Sequence, residues 1–445
     1  MNKKHNGLSV LGLTLLALGT VVGGSFYLGS AIPIKESGPS VIIAYILGGA
    51  LVYLILFALS EMTVANPTPG SFRTYAEDAF GPYMGFVVGW VYWTGLVLAM
   101  SSEATAVSIF LRSWFPEISL PVLGAIIIIG VILANLLGTE MLSRLESGLA
   151  AIKLFAIFGF ILVGLALILG FLPNGAPVGF GELANEDLLP NGIGGIAGSM
   201  LIVIFTYAGF EIIGLAATET KNPDRDVPRA ILYTVLTLVG LYTLSISILL
   251  PLIPTENLTE EVSPFVSALQ AHNIEWAAKV INIILVIAIL STMLAATFGL
   301  GRMLRSLADE GSAPEFMKDR NDIPYRGIIF SGVAMLFAFF LSFILPAEIY
   351  IFLVSSGGFA LLFTYFIIVL THYRFRKKHG CPPNGRCQLP GFPFTSWVSG
   401  VALLIIISSM PLIKGQGSGL IAGLCLVVFY SIMYRLKIIN KNTNI

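Results

Sequence analysis

Charged side chains are scarce in this chain. Only 11% of its 445 residues are Asp, Glu, Lys or Arg, while 56% are hydrophobic, and the mean hydropathy is +0.88. That leaves too little polar surface to cover a soluble globule, so the chain reads as a polytopic membrane protein. A formal net charge of zero offers no basic field to a nucleic acid, and none is expected as a partner. Cysteine is nearly absent, and Cys381, Cys387 and Cys425 set up no disulfide framework. His379, Cys381 and Cys387 would give a metal two thiols and one imidazole without a fourth ligand, so no metal is expected. No cofactor is expected either. The chain has no Gly-x-x-x-x-Gly-Lys-Ser/Thr loop, which argues against ATP as an energy source. Its apolar runs hold no His-x-x-x-His, paired aspartate or Gly-x-Ser-x-Gly, which argues against an intramembrane enzyme.

What the chain has is long apolar runs. About 20 residues cross ~30 Å of hydrocarbon, and twelve such runs can be read at 8–33, 40–65, 84–111, 121–138, 147–171, 193–217, 230–252, 276–301, 327–345, 347–372, 395–413 and 417–436. The first follows a basic start, but it is too long for a signal peptide and no small-residue cleavage site follows it, so it is read as a retained span. Basic residues in short loops stay in the cytoplasm. With both termini inside, twenty Lys and Arg fall on the cytoplasmic side. Only Lys35, Arg112 and Lys414 fall outside. With Lys153 and Lys279 in or at the start of spans, these account for all 25. The expectation is one transmembrane domain over 1–436 and a short cytoplasmic tail, 437–445.

Glycine interrupts two of these runs, at Gly19-Thr20-Val21-Val22-Gly23-Gly24-Ser25-Phe26 in the first and Phe205-Thr206-Tyr207-Ala208-Gly209-Phe210-Glu211 in the sixth. Backbone freed from its helix within hydrocarbon persists only where it faces a ligand, an ion or a water-filled cavity. Two breaks at matching places are the mark of a transporter's binding site. The breaks divide the chain into five spans (8–171), five more (193–372) and a final pair (395–436). Five is odd, so the two halves lie in opposite orientations. For Gly192, Gly194, Gly195 and Gly198, close helix packing is an equally good reading. Half-helix N-termini turn N–H groups and a positive dipole into such a break, which suits a carboxylate. Half-helix C-termini present carbonyls, which suit an ammonium.

Several stretches resemble one family in combination. They are Ser60-Glu61-Met62, Pro67-Thr68-Pro69-Gly70-Ser71-Phe72-Arg73-Thr74-Tyr75-Ala76, Gly85-Phe86-Val87-Val88-Gly89-Trp90-Val91-Tyr92-Trp93, the Phe-x-x-x-Gly-Phe-Glu of span 6 with its Glu219-x-Lys221-Asn222-Pro223 tail, and Gly301-Arg302 with Ala308-Asp309-Glu310-Gly311. Together they resemble the amino acid permeases of the amino acid, polyamine and organocation superfamily. Glu103-Ala104-Thr105-Ala106 and Trp114-Phe115-Pro116 point to its amino acid transporter branch. The resemblance covers residues 8 to about 372. It implies an all-α, LeuT-like fold with a 5+5 inverted repeat and broken spans 1 and 6. It further implies that N–H groups of Val21, Gly24 and Ser25 hold the substrate carboxylate. Carbonyls of Val21, Phe205 and Ala208 would hold the amino group, with Gly23 and Gly24 keeping the space open. One departure is Ser25, where the family often has glycine.

Ionisable residues in spans are functional candidates by default. In proton-coupled relatives a lysine at the place of Lys153 points at broken span 1, so the resemblance pairs Lys153 with the carbonyl of Gly19. The plainer reading is a lysine snorkelling to the cytoplasmic face. Glu211 is the alternative proton site, or a structural acceptor for backbone freed by the break. Glu103 lines a side-chain pocket with Met100 and Phe298 or bonds a neighbouring helix. Glu61 is expected to pair with a loop arginine such as Arg73.

The expected activity is import of a neutral apolar amino acid across the plasma membrane in symport with protons, by alternating access. The alternatives are an exchanger or sensor without net proton coupling and a cationic amino acid or polyamine permease. The expected partners are the amino acid, protons and the lipid bilayer, with the chain a monomer or homodimer.

Overall fold

A computed structural model describes residues 8–443, apart from 113, 172–176, 218, 219, 221, 260, 261, 320–322, 346, 383–386 and 413–415. Among the described residues the chain is helical, and its sole β-type pairing is an isolated bridge between Leu8 and Thr220. The first half holds α1 (Val10–Val21), α2 (Gly24–Tyr27), α3 (Ala31–Ser37), α4 (Val41–Ala65), α5 (Phe72–Phe80), α6 (Pro82–Arg112), α7 (Leu120–Asn135) and α8 (Thr139–Leu169). The second holds α9 (Gly192–Thr206), α10 (Ile212–Ala216), α11 (Pro223–Leu249), α12 (Pro264–Ala271), α13 (Glu275–Asp309), α14 (Tyr325–Ile344) and α15 (Ala347–His379), and α16 (Phe394–Ser409) and α17 (Gly417–Thr443) close the chain.

Among the described residues, nine helices or merged helical stretches are long and apolar enough to cross a membrane. Three apolar helices are shorter: α1, α7 and α9. Two of these three end at the glycine-rich breaks. Local chemistry sets several other ends. The Ser9 side chain caps α1 by accepting from the Gly12 N–H at 3.1 Å, and prolines sit in the first turn of α7, α11 and α12. Helices also outrun the apolar segments read from sequence, because polar end turns remain helical while their side chains reach outward. Thus α15 continues to His379 through Arg374, Arg376, Lys377 and Lys378.

The helix α1 packs against α8, α11 and α13, and α9 packs against α3 and α4. On one side of the breaks lies a buried aromatic layer of Phe26, Tyr27, Tyr45, Tyr207, Tyr242 and Phe265. Phe26 stacks on Tyr242 at 3.7 Å. One expectation about the covalent structure fails: Cys381 and Cys387 are joined by a disulfide. Their Cα atoms are 5.0 Å apart, a usual spacing for such a bond. A count of three cysteines could not reveal a pairing across a short loop.

Candidate functional site

The first break is made by two glycines with no room for a side chain. After α1 ends at Val21, Val22 leaves the helix at φ −73°, ψ 95°, Gly23 is extended, and α2 starts at Gly24. A Cβ on Gly23 would stand 2.6 Å from Thr292 Oγ1, and one on Gly24 would stand 2.9 Å from Glu103 Oε2 and 3.0 Å from Ile289 Cγ1. The helices α6 and α13 therefore close directly on the break. As the first residues of α2, Gly24 and Ser25 carry N–H groups that no residue of their own helix accepts. Val21 differs from the expectation, because as the last residue of α1 its N–H belongs to that helix's own ladder. What Val21 offers the break is its carbonyl.

The second break lies against the first. The helix α9 ends at Thr206, and the chain turns through Gly209, whose φ of +106° suits glycine. A Cβ there would stand 3.0 Å from Thr20 Cγ2 and 3.2 Å from the Thr20 carbonyl oxygen. Within the turn Ala208 N–H donates to the Phe205 carbonyl at 3.0 Å, while the Phe205 ring packs on Gly358 of α15. Beyond the turn, Glu211 is buried and holds three donors. Its Oε1 accepts from Tyr92 O–H at 3.0 Å, and its Oε2 accepts from Tyr365 O–H at 3.0 Å and from Gly209 N–H at 3.2 Å. The carboxylate thereby binds backbone that the break has freed.

Lys153 reaches the first break from α8. It is fully buried, and its Nζ donates to the Gly19 carbonyl and, at 2.9 Å, to the Val22 carbonyl. Its own carbonyl accepts from Tyr27 O–H at 3.0 Å, so α2 is tied to the same turn of α8. A snorkelling lysine would leave its ammonium in water; this one is held by two carbonyls on either side of the point where α1 unwinds. Of the side-chain pocket candidates, Glu103 stands at Gly24, and Met100 is buried one turn before it on α6. Phe298 lies six residues past Thr292, about 9 Å along α13 at 1.5 Å per residue, with the Arg302 guanidinium 4.9 Å over its ring.

The family model described as amino acid permease matches residues 12–443. The chain belongs to the amino acid permease family. It is similar to a gamma-aminobutyric acid permease of Bacillus subtilis (32% identical, over 96% of this chain and 94% of that one). A gamma-aminobutyric acid permease of Escherichia coli is 33% identical over 88% and 85%. The aromatic amino acid transport protein AroP of Corynebacterium glutamicum is 30% identical over 98% and 95%.

The permease signature after α4 builds a site around one buried arginine. Arg73 is fully buried and donates to Glu77 Oε2 at 2.8 Å, Ser306 Oγ at 3.2 Å and Thr74 Oγ1 at 3.0 Å, and it pairs with Glu310. Gly89 leaves room for the stem of this arginine, since a Cβ there would stand 2.9 Å from Arg73 Cδ. Burial, foremost, raises the Glu310 carboxyl above its usual range. Glu61 does not pair with Arg73. Its Oε2 meets His372 Nε2 at 2.7 Å and Arg376 Nε at 3.5 Å, and its Oε1 accepts the N–H groups of Gln388 and Leu389 at 2.6 and 2.8 Å. A partner from α15, more than 300 residues away, leaves no mark in the local sequence. The Glu219 and Lys221 of the span 6 tail lie outside the described residues.

Proposed function

We propose that this permease imports a neutral amino acid across the plasma membrane together with protons, binding it where the two breaks meet. The observation that supports this reading is the close approach of the two breaks, since a Cβ on Gly209 would stand 3.0 Å from Thr20 Cγ2. The substrate carboxylate binds Gly24 and Ser25 N–H, the amino group binds the carbonyls of Val21 and Ala208, and Met100, Glu103 and Phe205 surround the side chain. Lys153 couples the proton to transport because its two acceptors lie on the segment that must change when α1 moves. Glu211, satisfied by three donors, is the structural member.

The same reading takes the nine long helical stretches and the three short apolar helices as twelve spans with both termini inside, repeated as 8–171 and 193–372. Spans 1, 2, 6 and 7 rock against spans 3, 4, 5, 8, 9 and 10. Single cysteines in 177–190 and 255–272 should react with an impermeant thiol reagent from outside, and cysteines in 312–324 should not; the opposite pattern excludes this topology.

Glu103 favours a second reading of the substrate. A carboxylate beside Gly24 would hold an amino group carried away from the α-carbon, as in γ-aminobutyrate or a cationic amino acid. Competition of uptake by the twenty amino acids, γ-aminobutyrate and putrescine decides between them. On the main reading decarboxylated amines and deaminated acids compete poorly, because each lost charge-assisted hydrogen bond costs roughly 1.5–3 kcal/mol. Preference for putrescine over its parent amino acid would overturn it.

A further inference from the structure

The helix α8 brings a second ionisable group to the first break. Glu146 precedes Lys153 by seven residues, two helical turns, so both lie on one face. The apolar run of span 5 starts at residue 147 and leaves Glu146 in the loop; α8 begins at Thr139, and Glu146 is fully buried. Its Oε2 accepts from Ser291 Oγ of α13 at 2.9 Å. A Cβ on Gly19 would stand 2.8 Å from that same oxygen. Gly19 is thus enclosed from two sides, with Lys153 on its carbonyl and Glu146 against its Cα. The other carboxyl oxygen, Oε1, is buried and has no hydrogen-bond partner among the described residues.

A carboxylate with one bare oxygen is an expensive thing to bury, and an uncharged carboxylic acid is a cheap one. Lys153 is already engaged by two carbonyls, and neither oxygen of Glu146 is bonded to it, yet Lys153 is the charged side chain whose field acts on Glu146. The helices packed on this stretch add little. Neither α1 nor α7 has a titratable residue, and α13 keeps Glu275, Lys279, Arg302, Arg305 and Asp309 near its two ends. The helix α11 carries Asp224, Arg225, Asp226 and Arg229 in its first two turns, with Tyr233 and Tyr242 further along.

Resting on the reading of Lys153 as the coupling residue, we propose that Glu146 is where the coupling proton resides. One proton from the outer solution binds the Glu146 carboxylate at Oε1, forming an O–H bond, and it leaves to the inner solution when that bond breaks. Lys153 stays an ammonium throughout. Without the proton the pair is neutral across Gly19. With it the pair carries one positive charge at the break, which favours the substrate carboxylate close by. Proton and amino acid therefore load together, and Ser291 ties the loaded group to α13.

The test uses the full-length protein in proteoliposomes with a radiolabelled mixture of the twenty amino acids. In the parent an inward proton gradient should drive accumulation. In Glu146→Gln, fixed in the uncharged form, exchange of labelled for unlabelled amino acids should continue while the gradient no longer drives accumulation. Ser291→Ala removes a hydroxyl that favours the carboxylate, so the alkaline limb of the uptake profile should move to higher pH. This second variant decides the matter if Glu146→Gln does not fold. Unchanged accumulation in Glu146→Gln beside its loss in Lys153→Met would overturn Glu146 alone. So would an unshifted profile in Ser291→Ala. A parent that ignores the proton gradient would overturn the proton-coupled reading and this one with it.

Discussion

The two breaks look alike in sequence and are held open by different means. The second satisfies itself: Glu211, two residues past Gly209, turns back to accept that glycine's N–H, and two tyrosines from α6 and α15 lock the carboxylate in place. The first has no side chain of its own to do this, because Gly23 and Gly24 have none to give. Its free carbonyls are held from outside by Lys153 of α8, with Glu146 on the other face of Gly19. A break stabilised within its own segment can remain fixed while its neighbours move. One held by a foreign ammonium is tied to whatever moves α8 relative to α1. On the proposed function, the first break senses and the second supports.

Variants at each break sharpen this contrast. The largest effect is expected at Gly24. Gly24→Val places a branched side chain where even a Cβ meets Glu103 and Ile289 at 2.9–3.0 Å. It should reduce uptake of every substrate alike by at least about 100-fold, the cost of two charge-assisted hydrogen bonds. Initial uptake rates across several amino acids check this; loss confined to some of them would place the glycine in a side-chain pocket.

Glu211→Gln should act on the fold more than on coupling. It turns one acceptor into an amide donor facing Gly209 N–H, leaving a buried donor unmatched at a cost of about 1–3 kcal/mol. Thermal unfolding in detergent should show the loss, with the pH dependence of uptake kept. Tyr92→Phe removes one of the three donors, and about 1 kcal/mol of stability should go with it. A pH profile altered by either variant would make the second break a sensor too.

Much of this site is legible in the sequence. Apolar run lengths mark where the helices lie, and glycine clusters mark both breaks, since each signal is local. Lys153 stands out because a lone lysine in an apolar run needs a partner. Glu146 is hidden because Arg144 and Glu140 nearby make that stretch read as loop; its seven-residue spacing from Lys153 is the signal that marks it. The partners of Glu61 and the aromatic layer around Phe26 and Tyr242 depend on which helices pack together, and hydropathy carries no record of that. Residue type alone assigns Phe298 to the pocket, and its contact with Arg302 one turn on is set by their shared helix.

The most direct measurement compares Lys153→Met with Glu211→Gln in proteoliposomes under an imposed inward proton gradient, with exchange at equal pH as the control. Lys153→Met should exchange amino acids and fail to accumulate them, while Glu211→Gln accumulates with the parent's pH dependence. Accumulation retained in Lys153→Met and lost in Glu211→Gln would contradict the assignment and move coupling to the second break.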